Sequence, residues 1–260
     1  MKVLCIGDIC GNIGSEAVYR KLPAIKQKYG IDMVIANAEN SADRNGVTKE
    51  SAQFLFNVGI DVLTGGNHSF KHSEVADYLD EQPFLLRPDN LDKGLAGSGY
   101  CLVDKGRYLV AVINLSGKIY LERLEASNPF LAVDELIERA REDGARIIIV
   151  DFHAEATSEK RAMGLYLNGK VSAVYGTHTH VQTADEQILS GGTAYITDIG
   201  MTGPINSILG VKSDIIISRL RENNMQRFEL AEGECELCGI ILEIDEKTGK
   251  ALKIERIREV

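Results

Sequence analysis

Eight candidates for binding a metal or moving a proton fall in five short clusters: GDICG (7–11), NAEN (37–40), GGNH (65–68), DFHAE (151–155) and GTHTH (176–180). They are Asp8, Glu39, Asn40, Asn67, His68, His153, His178 and His180, and they include four of the five histidines. A lone histidine is more often a hydrogen-bonded side chain than a ligand, but four gathered beside carboxylates reverse that preference. Mixed carboxylate, amide and imidazole ligation suits iron, manganese or zinc better than magnesium or calcium, which prefer oxygen alone. His178 and His180 stand two apart, so in an extended segment both rings point to one side, a spacing suited to two adjacent ions. Glu155 has two readings open, orienting the neighbourhood of His153 or capping the next helix. His72, the fifth histidine, reads as a solvent-facing helical residue.

Each cluster follows an apolar run that reads as a strand. Runs at 2–7, 32–37 and 60–65 alternate with helical patterns at 15–29, broken at Pro23, at 48–58 and at 71–81. That rhythm is the mark of βαβ units with parallel strands. The carboxyl ends of parallel strands line the ligand crevice of an α/β sheet, which gives the five clusters a common place to converge. After Pro88 the pattern changes: runs at 99–103 and 108–115 are close enough to pair antiparallel, and 117–128 is irregular. A helix at 130–142 opens on Asn128-Pro129 and stops before Gly144. A strand at 146–152, a helix at 158–168 and strands at 171–175, 193–197, 226–230, 236–245 and 251–258 follow, with a hairpin turn at 247–250. No linker, repeat or low-complexity stretch interrupts the chain. The expected organisation is one α/β domain over residues 1–260, two mixed sheets face to face with helices outside.

The 260 residues carry 29 Lys and Arg against 38 Asp and Glu, a net charge of −9. This argues against duplex nucleic acid and anionic membrane as partners, because both need a basic surface. No run reaches the length of a membrane span and the start is too short for a signal peptide, so a cytoplasmic protein is expected. Five cysteines, an odd number, are expected as thiols, and Cys235-x-x-Cys238 lacks a second ligand pair and reads as strand packing. Gly7, Gly11 and Gly14 do not form a dinucleotide fingerprint, and there is no phosphate-loop lysine pattern. A homo-oligomer stays open.

GD at 7–8, NAEN, TGGNH, HAEATSEK (153–160), GTHTHVQTAD (176–185) and TDIGMTGP (197–204) occur in an order that resembles the calcineurin-like metallophosphoesterases, in particular the bacterial YmdB-like family of 2′,3′-cyclic-nucleotide 2′-phosphodiesterases. The resemblance implies a four-layer α/β/β/α sandwich and a cyclic-nucleotide substrate. It implies one metal held by Asp8, Glu39, Asn40 and His180 and a second held by Glu39, Asn67, His153 and His178, with Glu39 bridging and His68 as general acid. The metals implied are a pair of divalent or trivalent ions, iron first and manganese as the alternative. The reaction implied is attack by a metal-bridged hydroxide that converts 2′,3′-cyclic NMP to 3′-NMP, with 3′,5′-cyclic NMP as a further substrate. Most of the wider superfamily has histidine where this chain has Cys10; the YmdB-like branch lacks it too and uses the Asn at position 40. Two divalent ions against Asp8 and Glu39 leave a site charge of about +2, which attracts a phosphodiester despite the net −9. Within the 197–204 run, Gly200, Thr202 and Gly203 are candidate substrate contacts, the other reading being a plain connector. A phosphomonoesterase or protein phosphatase with the same centre, a non-catalytic nucleotide-binding regulator, and a metal-free scaffold are the competing readings. The lack of Lys and Arg in the ligand blocks apart from Lys160 favours a diester.

Overall fold

A computed structural model describes residues 1–121, 124–223 and 225–260. The chain begins with β1 (Lys2–Ile6), β2 (Asp8–Ile9), α1 (Gly11–Tyr29), β3 (Met33–Asn37), α2 (Lys49–Val58), β4 (Val62–Thr64) and α3 (Val75–Glu81). It continues through β5 (Tyr100–Asp104), β6 (Leu109–Ser116), α4 (Pro129–Glu142), β7 (Ile147–His153), α5 (Thr157–Tyr166), β8 (Ala173–Thr177), β9 (Gln187–Ile188) and β10 (Ala194–Ile196). It closes with β11 (Met201–Pro204), α6 (Ser213–Glu222), β12 (Cys235–Ile244) and β13 (Ala251–Glu259).

Period-two burial along the strands sets the layers. Leu4 and Ile6 of β1 face one core with α1, α2 and α3, while Val3 and Cys5 face a second core shared with the other sheet. In β7, Ile147 and Ile149 enter that shared core, and Ile148 and Val150 enter a third beneath α4 and α5. The result is helix, sheet, sheet, helix, the four-layer α/β/β/α sandwich. The first sheet runs β2-β11-β12-β1-β3-β4, with β13 on the other edge of β12; β1, β3 and β4 are parallel. The second runs β5-β6-β7-β8-β10-β9, parallel from β6 to β10 with β5 antiparallel to β6. Among the described residues, no helix is long and apolar enough to cross a membrane.

At Gly7 the first strand changes partner: its N–H donates to the Cys238 carbonyl, and the Asp8 N–H donates to the Gly200 carbonyl. A Cβ on Gly7 would stand 2.0 Å from the Gly200 oxygen, so only glycine lets the two backbones approach. Gly7→Ala is expected to destabilise the protein by about 3 kcal/mol through this overpacking, read as a lower denaturant midpoint at constant slope.

Several elements differ from expectation. α1 starts at Gly11 and runs unbroken through Pro23. Pro23 is on the exposed face while Val18, Leu22 and Ile25 are buried, so packing holds the helix and water can meet the carbonyl that loses its donor. Helix 71–81 shortens to α3. Residues 226–230 contribute only a bridge from Leu230 to Val211 in place of a strand, because the Glu229 carbonyl accepts from the Lys212 N–H and no long partner lies alongside. α6 and β11 were hidden, α6 because its Ile217 and Leu220 are exposed and give no core-facing stripe. The 117–128 stretch forms neither helix nor strand in its described residues; residues 122 and 123 lie outside them.

Candidate metal centre

The clusters meet where the carboxyl ends of both sheets face each other. Asp8 opens β2, Glu39 and Asn40 follow β3, Asn67 and His68 follow β4, His153 ends β7, and His178 and His180 follow β8. Around His153 Nε2 stand Asn67 Oδ1 at 3.0 Å, His178 Nδ1 at 3.0 Å and Glu39 Oε1 at 3.3 Å. Glu39, His153 and His178 thus bring potential ligand atoms within 4.8 Å of one another. Beside them, Asn40 Nδ2 is 3.0 Å from Glu39 Oε1 and 3.2 Å from His180 Nε2, which is 3.6 Å from Asp8 Oδ1. A half-turn of the Asn40 amide exchanges its nitrogen for its oxygen at that point. All seven expected ligands are therefore gathered, and Glu39 touches both groups.

Backbone and burial make this close approach feasible. A Cβ on Gly66 would fall 2.2 Å from Glu39 Oε2 and 2.4 Å from His153 Nε2, which explains the second glycine of GGNH. His178 and His180 do not lie in an extended segment; β8 ends at Thr177, and the two histidines take left-handed conformations with φ of 101° and 63°. Their convergence comes from a strained bend, which departs from the strand alternation expected of their spacing.

The electrostatics fit a cation. Asp8 and Glu39 are buried, and Asp8 Oδ1 has no hydrogen-bond donor, an orphaned acceptor aimed at His180. Burial raises the pKa of Asp8. Burial alone would raise that of Glu39 too, but His153 and His68 outweigh it and hold this carboxyl well below the usual range. In His153, burial is overcome by Glu39, Asp8 and Asp151, so its pKa rises to about 9. His178, desolvated and next to His153, falls to about 3 and stays neutral. The cluster thus places positive charge beside Glu39, the role that a bound metal ion would fill.

Outer contacts hold the cluster in place. His153 Nδ1 donates to Thr177 Oγ1 at 2.9 Å, which donates to buried Asp151 at 2.7 Å. His180 Nδ1 is 3.7 Å from Cys10 Sγ, kept a thiol by burial and the nearby Asp8 and Glu39. Of the two readings of Glu155 the geometry matches the first: its carboxylate meets His178 Nε2 at 3.0 Å, beside His153, whereas the α5 cap is Ala156. Lys160 and Asp198 form a buried ion pair of 2.6 Å, and Asp198 also accepts from Thr179 N, Thr179 Oγ1 and Gly200 N. This pair ties down the strained histidine bend. No spacing rule marks Thr177 and Asp151 as partners of His153, or Asp198 as the partner of Thr179 between the two histidines. Asp198→Asn, which leaves the Lys160 ammonium buried without its counter-charge, is expected to cost about 3–5 kcal/mol of stability, measured by chemical unfolding.

The cluster forms the floor of a cleft of about 850 Å³. His68 is at its edge with a side chain 34% exposed, its Nδ1 3.3 Å from Glu39 Oε1 and 3.2 Å from Asn40 Oδ1. Gly200, Thr202 and Gly203 do not line it: β11 is buried between β2 and β12, and a Cβ on Gly203 would press on Cys10. The cleft wall comes instead from residues within 208–216 and 227–232, with Arg44, Arg227 and Lys212 as cations, the last paired with Glu229 at 2.6 Å. Basic groups are thus present at the site from outside the ligand blocks, while Lys160 is buried away from it. His72 is half-buried and precedes α3, its Nε2 bonded to the Asn45 carbonyl at 2.9 Å.

The layered sheets define an α/β protein of the metallophosphoesterase fold, with a metal-capable cluster at the carboxyl ends of its strands. The family model described as YmdB-like protein matches residues 4–257, and the chain belongs to that family. A 2′,3′-cyclic-nucleotide 2′-phosphodiesterase of Bacillus subtilis is 47% identical, over 99% of this chain and 96% of its own length. A crystal structure described as a phosphatase from Mycoplasma pneumoniae superimposes with TM-score 0.93 at 34% identity, over 99% of this chain and 92% of that one. A 5′-nucleotidase precursor from Thermus thermophilus has TM-score 0.59 at 13% identity, over 100% of this chain and 54% of that one, and shares the fold.

Proposed function

We propose that the protein is a dinuclear metal-dependent phosphodiesterase that opens 2′,3′-cyclic nucleotides at the 2′ bond and releases 3′-nucleotides. That it is a phosphoesterase follows from its family and from its 47% identity to a phosphodiesterase. The observation that carries the finer reading is Glu39: one buried carboxylate within 3.3 Å of Asn40, His68 and His153, next to the orphaned oxygen of Asp8.

In this reading Asp8, Glu39, Asn40 and His180 hold one ion, and Glu39, Asn67, His153 and His178 hold the other. Iron is the first choice and manganese the substitute, since the donor set mixes nitrogen and oxygen. When bound, the ions supply an activated water and positive charge against the phosphate. The remaining work falls to the chain. Glu39 engages His68 Nδ1 and leaves Nε2 free to give its proton to the departing ribose oxygen. Asp151 acting through Thr177, Cys10 and Glu155 fix the orientation of His153, His180 and His178 in turn. Because Glu39 comes from one sheet and His153 from the other, the chain works as one unit, and a cytoplasmic setting suits its thiols.

Arg44 and Arg227 in the cleft favour a second reading, in which they clamp the terminal dianion of a phosphomonoester. Incubation with 2′,3′-cyclic AMP decides between them. Accumulation of 3′-AMP is expected; 2′-AMP would overturn the bond assignment, and turnover of 3′-AMP but not of the cyclic diester would establish the monoesterase.

A further inference from the structure

The cleft has two unlike walls. One is the metal-capable cluster, suited to a phosphate; the other presents apolar side chains, Leu209 and Phe228 foremost, for which a phosphate has no use.

Leu209 stands where its residue type is disfavoured. Leu209 and Gly210 are the central pair of a two-residue turn closed by reciprocal backbone bonds between Ile208 and Val211 of 2.8 and 3.0 Å, with φ of 53° and 91°. Turns with both central φ positive favour Asn, Asp or Gly at the first position, because a Cβ crowds the left-handed backbone. The leucine is nonetheless present and 51% exposed. It neither relaxes the turn nor fills a core; it puts an apolar surface into the cleft.

Phe228 is the one phenylalanine, tyrosine or tryptophan ring among the described residues lining the cleft, and it is 48% exposed. The guanidinium carbon of Arg219 lies over this ring, 4.8 Å from its centre. A ring that carries a cation on one face and is nearly half exposed in a cleft has surface left to meet a flat partner.

We propose that Leu209 and Phe228 form the nucleobase site of the cleft: the base stacks on Phe228 and packs against Leu209 while its phosphate meets the metal-capable cluster. This rests on the phosphodiesterase reading given above. Recognition by stacking accepts any base and favours the larger purines, because every base offers a π face and purines offer more of it.

The test compares kcat/KM for 2′,3′-cyclic AMP with that for methyl riboside 2′,3′-cyclic phosphate, which keeps the reacting ring and lacks the base. The wild type is expected to prefer the nucleotide by at least about tenfold, a typical loss on removing one stacked base. In Phe228→Ala and Leu209→Asn the preference should fall to within about threefold, carried mainly by KM. Leu209→Asn suits the turn better than leucine, so its melting temperature should equal or exceed that of the wild type, which separates lost binding from lost folding. A wild type without preference for the nucleotide, or folded variants that keep it, would overturn the base site while leaving the phosphodiesterase reading standing. A wild type that hydrolyses neither compound would remove both.

Discussion

Glu39→Gln is expected to lower kcat for 2′,3′-cyclic AMP by at least about 10³-fold, or about 4 kcal/mol of transition-state stabilisation, and to cost the protein at least one of its metal ions. The change keeps the shape of the side chain and removes its charge. Glu39 Oε1 stands at 3.0 Å from Asn40 and 3.3 Å from both His68 and His153, and Oε2 accepts the His68 N–H at 2.9 Å. Asp8 meets His180 Nε2 with Oδ1 and only the backbone N–H of His178 with Oδ2, so among the described residues Glu39 is the carboxylate shown against side chains of both groups. Steady-state kinetics with elemental analysis of the same sample checks this. A variant within tenfold of wild type would show that Glu39 bridges nothing.

The second large effect separates proton delivery from metal binding. His68→Ala is expected to reduce kcat for the cyclic nucleotide by about 10²–10⁴-fold, the usual worth of a positioned general acid, with metal content retained. The ribose 2′-oxygen is a poor leaving group and needs a proton. A p-nitrophenyl phosphodiester expels an anion that needs none, so the variant should lose far less with that substrate. Equal losses on both substrates, or loss of metal, would mean that His68 holds the centre together instead of acting as the acid.

The primary structure carried most of the fold because its strands declare themselves as continuous apolar runs. Leu4 and Ile6 against Val3 and Cys5 read as two buried faces, and two buried faces on every strand require layers on both sides. α6 escaped because Ile217 and Leu220 point to solvent, and residues 226–230 misled because an apolar run without a partner strand imitates a strand. The ligand clusters were visible as residue types at strand ends, whereas their partners were not. Asp198 and Lys160 are charged residues of ordinary appearance, and only burial to 0% and 1% shows that they pair beneath the histidine bend. The spacing of His178 and His180 suggested an extended segment, whereas a left-handed bend brings the two rings to the cluster and no strand does. The cleft wall was equally hidden: the glycine-rich 200–203 run is tucked between strands, and the substrate-sized space opens onto Leu209 and Phe228 instead.

The central claim is that this cluster is a two-metal centre, and a metal count tests it most directly. Protein purified without chelators, analysed for transition metals and compared with Glu39→Gln, is expected to carry about two iron or manganese ions per chain against none or one in the variant. A metal-free wild type that still hydrolyses 2′,3′-cyclic AMP in the presence of a chelator would contradict the account.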